Sequence, residues 1–451
     1  MSRYASYDLF SGTVLVADSG SLVYEKSFGL ANEELGVRHT PNMRFVLGSI
    51  TKQFTAVLVL QLVEDGKIQL NDPVNKYLTN YPNPRGSDIT IHHLLSHSSG
   101  LQHWNGVDNF LMEEARNHFE KDSIMVLFTQ LPERNEPGES FQYSSIGYYL
   151  LGMILENVTG EEYGELLQEQ IFVPLGMNSS LYTETDEIVP NRVSPYRYNF
   201  LKAEYENAEY RDPSTTFSTG GIISTAEDLL KWDQALYSTQ LLSEEYLNLL
   251  FAPNFDRYGY GFHVNLRGEH ADLNIRWHGG LVTGYRTQIT RLIDENKTII
   301  LLSNHRDTDT YDITNKILSA YQSADYELPK RSLFKLILEK TAHYSAKEAV
   351  LTVDSLLSVN SNDYDLNEVN IARAALELKS DGAYQNSAEL MIAIIDLFPE
   401  TAYRTILEYQ ISDTYSILKD GAKAIEYAKR VLEANPNHEG AQLIMNRWND
   451  I

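Results

Sequence analysis

Ser49 and Lys52 have residue types and a spacing that suit nucleophilic catalysis. They stand three positions apart at the start of a predicted helix, so both side chains share one face of it. A serine hydroxyl is a weak nucleophile until a neighbouring base removes its proton. A buried lysine can be that base because desolvation lowers its pKa. The N–H groups at the helix N-terminus can also stabilise an oxyanion. The pair therefore predicts chemistry at a serine nucleophile.

The Ser-x-x-Lys spacing is a weak motif by itself. It recurs at Ser332–Lys335 and at Ser416–Lys419, both in the predicted helical tail, so at least two of the three matches are chance. The match at Ser49 differs from the others in its context. It follows two predicted strands, begins a strongly apolar helix and has two companion motifs.

The companion motifs begin at Tyr143 and His278. The segment YSS from Tyr143 follows a Pro-Gly turn and precedes a helix rich in Gly and Leu. A tyrosine near a lysine can relay a proton to a leaving group. The segment HGG from His278 ends a predicted strand, where glycines allow close backbone approach to a ligand. Taken singly, each has a simpler interpretation: one tyrosine among 29, and a hydrogen-bonded histidine at a strand end.

The elements that must position these residues are predicted at both ends of one domain. Residues 11–17 and 21–28 form a predicted hairpin around Asp-Ser-Gly, and apolar residues in 49–65 recur at helical spacing. Further strand patterns follow at 258–266, 273–278, 284–292 and 297–303. We therefore expect an α/β (α+β) fold in residues 1–325. It would contain an antiparallel sheet flanked by helices and an all-helical subdomain inserted at about 66–250.

The remainder of the chain, residues 326–451, is predicted to be an all-α domain. SAEL from Ser387 leads to Pro399 and AIEY from Ala424 leads to Pro436, and the two prolines are 37 residues apart. That spacing is near the period of about 34 residues of tetratricopeptide repeats. A plain helical hairpin or bundle is the alternative. Two repeats are too few for a free-standing solenoid, so we expect this tail to pack against its own catalytic domain, a protein partner or a second copy.

Composition excludes several classes of function. The 451 residues include 37 Lys and Arg against 62 Asp and Glu, a net charge of −25, which argues against nucleic acid and anionic membranes as partners. The absence of cysteine excludes disulfides, thiolate nucleophiles and Cys-bound metals. No apolar run is long enough to span a membrane, and the N-terminus lacks a signal-peptide pattern. We expect a cytoplasmic protein, or a bacterial periplasmic or exported one whose upstream signal was removed.

Together the three motifs, in this order, resemble the serine β-lactamase and penicillin-binding-protein superfamily. The resemblance is strongest to the class C β-lactamase-like group, which includes esterases, D-stereospecific peptidases and acyltransferases. Three further segments match: TIHHLLSHSSGLQ from Thr90, STGGIISTAEDLLKW from Ser218 and YGYGF from Tyr258. The resemblance covers roughly residues 8–310.

The resemblance implies a role for each catalytic position. Ser49 would be the acylated nucleophile and Lys52 its general base. Tyr143 would share proton transfer by protonating the leaving group and later activating water. The oxyanion hole would use the backbone N–H groups of Ser49 and of Leu281, the residue just past Gly280.

Two departures from the family pattern bear on the substrate. Ser145 stands where the family usually has asparagine, and it cannot present an amide to the acyl chain. His278 and Gly279 replace the lysine and threonine of the Lys-Thr-Gly strand that helps β-lactamases bind the drug's carboxylate. The histidine is largely neutral at pH 7 and Gly279 has no hydroxyl. Both changes favour the esterase and D-aminopeptidase members over an efficient β-lactamase.

The resulting hypothesis is a serine hydrolase that forms an acyl-enzyme at Ser49 and cleaves a small-molecule ester or peptide. An acyltransferase and a weak β-lactamase or penicillin-binding protein are alternatives within the same chemistry. From another class, the alternative is a catalytically silent scaffold whose helical tail recruits a partner. No cofactor is expected under any of these interpretations.

Two histidines and two aromatic segments also have structural interpretations. The His93-x-x-x-His97 spacing is compatible with a metal site, but the resemblance makes it a structural turn, so no metal is expected. The aromatic residues of YGYGF from Tyr258 fit a strand more simply than a cleft lining. The segment 196–210, rich in tyrosine and acids, is either a flap over the site or a solvated loop.

Overall fold

A six-stranded antiparallel sheet carries the predicted site segment from His278 to Leu281. The computed structural model describes residues 1–82, 84–107, 109–111, 113–182, 187–265, 270–322, 326–359 and 361–449. The strands are β1 (Gly12–Asp18), β2 (Ser21–Phe28), β3 (Leu30–Asn32), β4 (Val37–Arg38), β5 (Phe45–Val46), β6 (Leu181–Tyr182), β7 (Tyr196–Asn199), β8 (Glu204–Asn207), β9 (Ile222–Ser224), β10 (His263–Val264), β11 (Ile275–Val282), β12 (Tyr285–Leu292) and β13 (Lys297–Ser303). The large sheet has the order β10-β11-β12-β13-β1-β2. The two ends of the domain therefore meet in one sheet, as predicted.

The sheet is buried on both faces. Val14 pairs with Leu301 and Leu15 with Ile300. Because successive side chains of a strand point to opposite faces, these two pairs enter different clusters. Val14 and Leu301 pack with Ile313 of the last helix of this domain, whereas Leu15 and Ile300 join the large core around the helical subdomain. This double burial explains why β1 and β13 are continuous apolar runs in the sequence.

Eighteen α-helices are found in the described residues. They are α1 (Ser2–Ser6), α2 (Thr51–Glu64), α3 (Ile91–Leu95), α4 (Lys121–Thr129), α5 (Ser145–Thr159), α6 (Tyr163–Leu167), α7 (Val173–Leu175), α8 (Phe217–Gly220), α9 (Ala226–Ala235), α10 (Glu244–Phe251), α11 (Thr310–Tyr321), α12 (Leu333–His343), α13 (Ala346–Ser358), α14 (Glu368–Ser380), α15 (Tyr384–Leu397), α16 (Arg404–Ile417), α17 (Gly421–Ala434) and α18 (Glu439–Asn449). None of them is long and apolar enough to cross a membrane.

Helix α2 lies in the centre of the large core. Eleven of its 14 residues are buried, which is typical of a helix that is surrounded by other elements. Its Phe54 stacks on Trp232 of α9 with ring centroids 3.9 Å apart. The next residue of α9, Asp233, forms a buried ion pair with Arg291 of β12, with Oδ1 and Nε 2.5 Å apart. Helix α9 thus joins the nucleophile-bearing helix to the sheet.

The strand predicted at 258–266 is largely wrong. Only His263–Val264 form a strand, residue 266 lies outside the described residues, and the chain from Tyr258 to Phe262 is irregular. The backbone of Gly261 has φ +77°, a conformation that breaks an extended strand. The alternating aromatic residues that indicated a strand are buried because this loop lies inside the domain.

The chain divides into two compact units. One comprises Met1–Arg197 with Asn207–Glu327, and the other Tyr198–Glu206 with Leu328–Ile451. The second unit begins close to the predicted boundary at residue 326. It also contains a segment that the prediction assigned to the hydrolase domain. Within the 196–210 segment, β7 and β8 form a β-hairpin, and Glu209 and Tyr210 after it line the cavity that contains Ser49, so the flap stays a prediction.

The second unit consists of helices α12 to α18 and the tip of that hairpin. Helices α15 and α17 are each 14 residues long, begin 37 residues apart and are each followed by a proline, Pro399 and Pro436. Each helix from α14 to α17 packs on the next one, and α12 packs on both α13 and α14. Tyr198 lies in their apolar core, and Lys335 Nζ donates a hydrogen bond to the Tyr205 hydroxyl over 2.8 Å. Tetratricopeptide-like packing stays a prediction.

Candidate active site

Ser49 and Lys52 meet at the start of α2. Ser49 lies in a 3₁₀ turn, Gly48–Ile50, that continues directly into the helix. Lys52 Nζ lies 3.0 Å from Ser49 Oγ and donates a second hydrogen bond to the Thr219 carbonyl over 2.9 Å. The Lys52 side chain is fully buried. The three-residue spacing therefore produces the contact that the sequence predicted.

The environment of Lys52 favours its neutral form. Burial lowers its pKa well below the usual range, and the charge of Arg211 lowers the pKa further. Among the described residues no carboxylate forms an ion pair with Lys52. An amine held neutral beside a serine hydroxyl can accept the hydroxyl proton.

Tyr143 is held in the opposite protonation state. Lys52 Nζ lies 5.3 Å from the centre of its ring. Burial raises the pKa of Tyr143, and its interaction with Ser49 offsets only part of that rise. The phenol therefore keeps its proton at neutral pH. The site thus pairs a neutral base with a protonated acid around one nucleophile, which is the division that acid–base catalysis requires.

His97 fixes the backbone on both sides of Tyr143. The N–H of Gln142 donates to the His97 carbonyl over 2.7 Å, and the N–H of Ser144 donates to His97 Nδ1 over 3.2 Å. The imidazole also lies against the Tyr143 ring, with ring centroids 4.2 Å apart. The sequence prediction treated this histidine as part of a structural turn and missed its contact with Tyr143. Its position inside the matched segment TIHHLLSHSSGLQ was the available signal.

Gly280 and Gly48 allow strand β11 to lie against the turn that carries Ser49. A Cβ on Gly280 would lie 1.9 Å from the Leu47 carbonyl oxygen, and one on Gly48 would lie 2.8 Å from the backbone nitrogen of Leu281. Thr287 secures the same junction by donating a hydrogen bond to the Leu47 carbonyl over 2.6 Å. The close approach at Gly280 is to the protein's own backbone. Its effect is to bring the N–H of Leu281 beside the nucleophile turn.

His278 is buried, and both of its ring nitrogens have protein partners. Nδ1 donates to the Gly279 carbonyl over 2.7 Å, so Nε2 accepts from the Tyr258 hydroxyl over 3.0 Å. Burial lowers the pKa of His278 well below its usual range, and His263 and Lys52 lower the pKa further. The ring is therefore neutral and has no free nitrogen to offer a substrate. It fixes the end of β11 and Tyr258, a residue that the sequence prediction assigned to a strand.

Ser145 begins helix α5 and is linked to a second histidine. Its N–H donates to His103 Nδ1 over 3.1 Å, while the Ser144 hydroxyl donates to the Gln102 carbonyl over 2.8 Å. Burial lowers the pKa of His103 to about 3, with further contributions from Lys52 and two arginines. His103 is thus neutral, and because Nδ1 accepts a hydrogen bond, Nε2 carries its proton. The sequence prediction did not identify His103.

These residues surround a cavity of about 540 Å³. The site residues predicted from the sequence that line it are Ser49, Tyr143, Ser145, His278, Gly279, Gly280 and Leu281. Lys52 is buried behind Ser49, and His103, Trp104 and Arg211 line the cavity without having been predicted. No group of three metal-ligating side chains occurs in the part of the chain that the structure describes. The geometry suits nucleophilic attack by a serine on a carbonyl carbon in a partly enclosed cavity.

Comparison with known proteins identifies the class to which this fold and site belong. The Beta-lactamase family model matches residues 2–322, so the chain belongs to that family. It is a serine hydrolase with a mixed α/β fold.

Two curated relatives and one solved structure show how similar the chain is to known proteins. Penicillin-binding protein 4* of Bacillus subtilis is 31% identical over 343 residues, covering 71% of this chain and 74% of the relative. Teichoic acid D-alanine hydrolase of Staphylococcus aureus (strain MRSA252) is 28% identical over 275 residues, covering 58% and 65%. The crystal structure of a penicillin-binding protein from Bacillus halodurans superposes with a TM-score of 0.63 at 26% identity. The match covers 71% of this chain and 98% of that one.

Proposed function

We propose that this protein hydrolyses ester or amide bonds through an acyl-enzyme at Ser49. The observation that carries the proposal is the 3.0 Å separation between the Ser49 hydroxyl and the amine of a fully buried Lys52. A buried lysine without a carboxylate partner is costly to keep charged, so the fold favours the neutral amine. A catalytically silent scaffold would have no need for such a pair.

Each proton in the proposed cycle has a donor and an acceptor. Lys52 accepts the Ser49 proton as Oγ attacks the carbonyl carbon, and the N–H groups of Ser49 and Leu281 stabilise the oxyanion. Tyr143 protonates the leaving alcohol or amine as the scissile bond breaks, and the Lys52 ammonium returns a proton to Tyr143. Water then attacks the acyl-enzyme and gives one proton to Lys52. The Lys52 ammonium returns a proton to Ser49 Oγ as the bond between Oγ and the acyl carbon breaks. The cycle needs no metal or cofactor.

We further propose that the substrates are esters or amides of D-amino acids or similar small acyl groups. The relative named teichoic acid D-alanine hydrolase supports this class. The β11 segment supports it also, because His278 has no free nitrogen and Gly279 no hydroxyl for a β-lactam carboxylate. Transfer to an alcohol or amine instead of water is the same chemistry with a different acceptor.

The test is a hydrolysis panel of short-chain 4-nitrophenyl esters, D- and L-alanine 4-nitroanilides and a chromogenic cephalosporin. We expect esters and the D-anilide to be cleaved faster than the cephalosporin and the L-anilide. Ser49→Ala should lower kcat/KM about 10⁴-fold. Ser332→Ala is a matched control because it removes the serine of a chance Ser-x-x-Lys motif, where the side chain only caps α12. Equal activity in Ser49→Ala and the unaltered protein would refute the assignment.

A further inference from the structure

Arg211 lines the catalytic cavity with most of its hydrogen-bonding capacity unused. Its Nε donates to the Thr215 hydroxyl over 3.1 Å. Its Nη2 is buried without a hydrogen-bond partner among the described residues. Neither Nη atom has a hydrogen bond or ion pair to the described part of the chain. Because an unpaired buried charge is unfavourable, this arrangement is costly for the protein without a ligand.

The carboxylates nearest in sequence are engaged elsewhere. Glu209 Oε1 lies 2.7 Å from Arg197 Nη1. Asp212 accepts the N–H of Ser214 over 3.0 Å and lies 3.4 Å from a ring nitrogen of His118. Among the described residues no carboxylate forms an ion pair with Arg211, and burial lowers its pKa only to about 10. It therefore keeps its charge at neutral pH and carries it uncompensated.

Trp104 holds the Arg211 guanidinium in place, and His103 offers a second hydrogen-bond donor nearby. Its central carbon lies 5.4 Å from the centre of the Trp104 ring, an arrangement that stabilises the planar group over an indole face. His103 precedes Trp104; its Nδ1 accepts the N–H of Ser145, and its Nε2–H has no hydrogen-bond partner among the described residues. Arg211 and His103 are close enough for the arginine charge to lower the pKa of the histidine. Both line the cavity that contains Ser49.

We propose that Arg211 and His103 form a carboxylate subsite, so that the preferred substrates carry a carboxylate next to the scissile ester or amide bond. This inference rests on the proposed hydrolase function and specifies its substrate class. The subsite is formed by the segments around residues 103 and 211. It is thus separate from strand β11, where the family resemblance puts carboxylate recognition.

A carboxylate fits better than a phosphate. One guanidinium edge and one imidazole N–H match a planar group with a single negative charge. A doubly charged phosphate would need further unpaired cations. Arg286, another arginine of the cavity, is near Asp307 and Asp309, whose negative charges oppose the effect of Arg306 on its pKa.

The experiment compares matched substrate pairs in the full-length protein. The acyl-side pair is mono-4-nitrophenyl glutarate against 4-nitrophenyl pentanoate. The leaving-group pair is 4-butyryloxybenzoate against its methyl ester. Within each pair the ratio of kcat/KM, charged over neutral, is measured for the unaltered protein and for Arg211→Gln. We expect one ratio to fall about 10- to 100-fold in the variant, as for loss of a charged hydrogen bond, and the affected pair locates the carboxylate.

Two further variants make the result decisive. Arg211→Lys keeps the charge without the planar fork and should lose part of the preference, which also covers the case that Arg211→Gln does not fold. Arg286→Gln removes a neighbouring cation that already faces aspartates, so its ratios should stay within about twofold of the unaltered protein.

The outcomes separate the subsite from the hydrolase function. Unchanged ratios in Arg211→Gln and Arg211→Lys, or an equal fall in Arg286→Gln, would overturn the subsite while neutral esters are still cleaved at Ser49. If the unaltered protein cleaves none of these esters in a Ser49-dependent way, the proposed function itself is refuted.

Discussion

Lys52 and Arg211 are two basic side chains at one site, and burial has different effects on their protonation. Lys52 is fully buried, gives hydrogen bonds to Ser49 and Thr219, and has a pKa well below its usual range. Arg211 has one hydrogen bond, to Thr215, and a pKa lowered only to about 10. Burial therefore makes a neutral base of the amine, whereas the guanidinium stays charged. The lysine can move a proton, and the arginine can only bind an anion.

The strongest test of this contrast is Lys52→Arg. The variant replaces an amine that can lose its proton with a guanidinium that stays protonated. We expect kcat/KM for 4-nitrophenyl esters to fall by about 10³- to 10⁴-fold. Lys67→Arg, at an exposed lysine paired with Asp65, is the matched control and should retain full activity. Activity within tenfold of the unaltered protein would show that charge, and not basicity, is what Lys52 supplies.

A second test concerns the residue that holds the catalytic acid. His97→Gly tolerates the positive φ of 55° at this position but removes the acceptor for the Ser144 N–H. We expect kcat to fall about 10²-fold with little change in KM, because Tyr143 loses its orientation.

His97→Asn separates positioning from general destabilisation in that test. Asparagine also tolerates positive φ and offers a carbonyl oxygen in place of Nδ1, so it should recover part of kcat. Equal loss in both variants, accompanied by a large drop in Tm, would indicate a purely structural role. His343→Asn, at an exposed histidine of α12, is the control.

The smallest expected effect is a change in the pKa of Lys52 when Arg211 is replaced. Arg211 lowers the pKa of Lys52, so Arg211→Gln should raise it. Because the neutral amine is the active form, the acid limb of kcat/KM for a neutral ester should move to higher pH. Burial lowers the pKa values of the nearby histidines His97, His103 and His278, which moves their titration away from that of Lys52. A pH profile from 4 to 9 measures the shift, and a limb that moves to lower pH would contradict it.

The fold and the reactive pair could be predicted from local sequence patterns. Helical spacing places Lys52 beside Ser49 by geometry alone, and the two hairpins of the sheet follow from their turn residues and strand patterns. Tyr143 lies far from both in sequence, so only the resemblance to a family indicated its contact with them.

The residues that escaped prediction depend on long-range contacts. Arg211 is an ordinary polar residue of a loop until the fold brings it to Trp104 and the cavity. Tyr258 was assigned to a strand because aromatic residues alternate there, but the positive φ of Gly261 turns the chain into the interior, where its hydroxyl meets His278. Hydrogen bonds between segments more than 15 residues apart have no local pattern.

The most direct test of the central claim is to trap the acyl-enzyme. The protein would be mixed with a 4-nitrophenyl ester, quenched in acid within the first turnover and analysed by intact-mass and peptide mass spectrometry. We predict one added acyl group per chain, located on Ser49, and none in Ser49→Ala. Steady turnover with no adduct, or with the acyl group on another residue and retained in Ser49→Ala, would contradict the account.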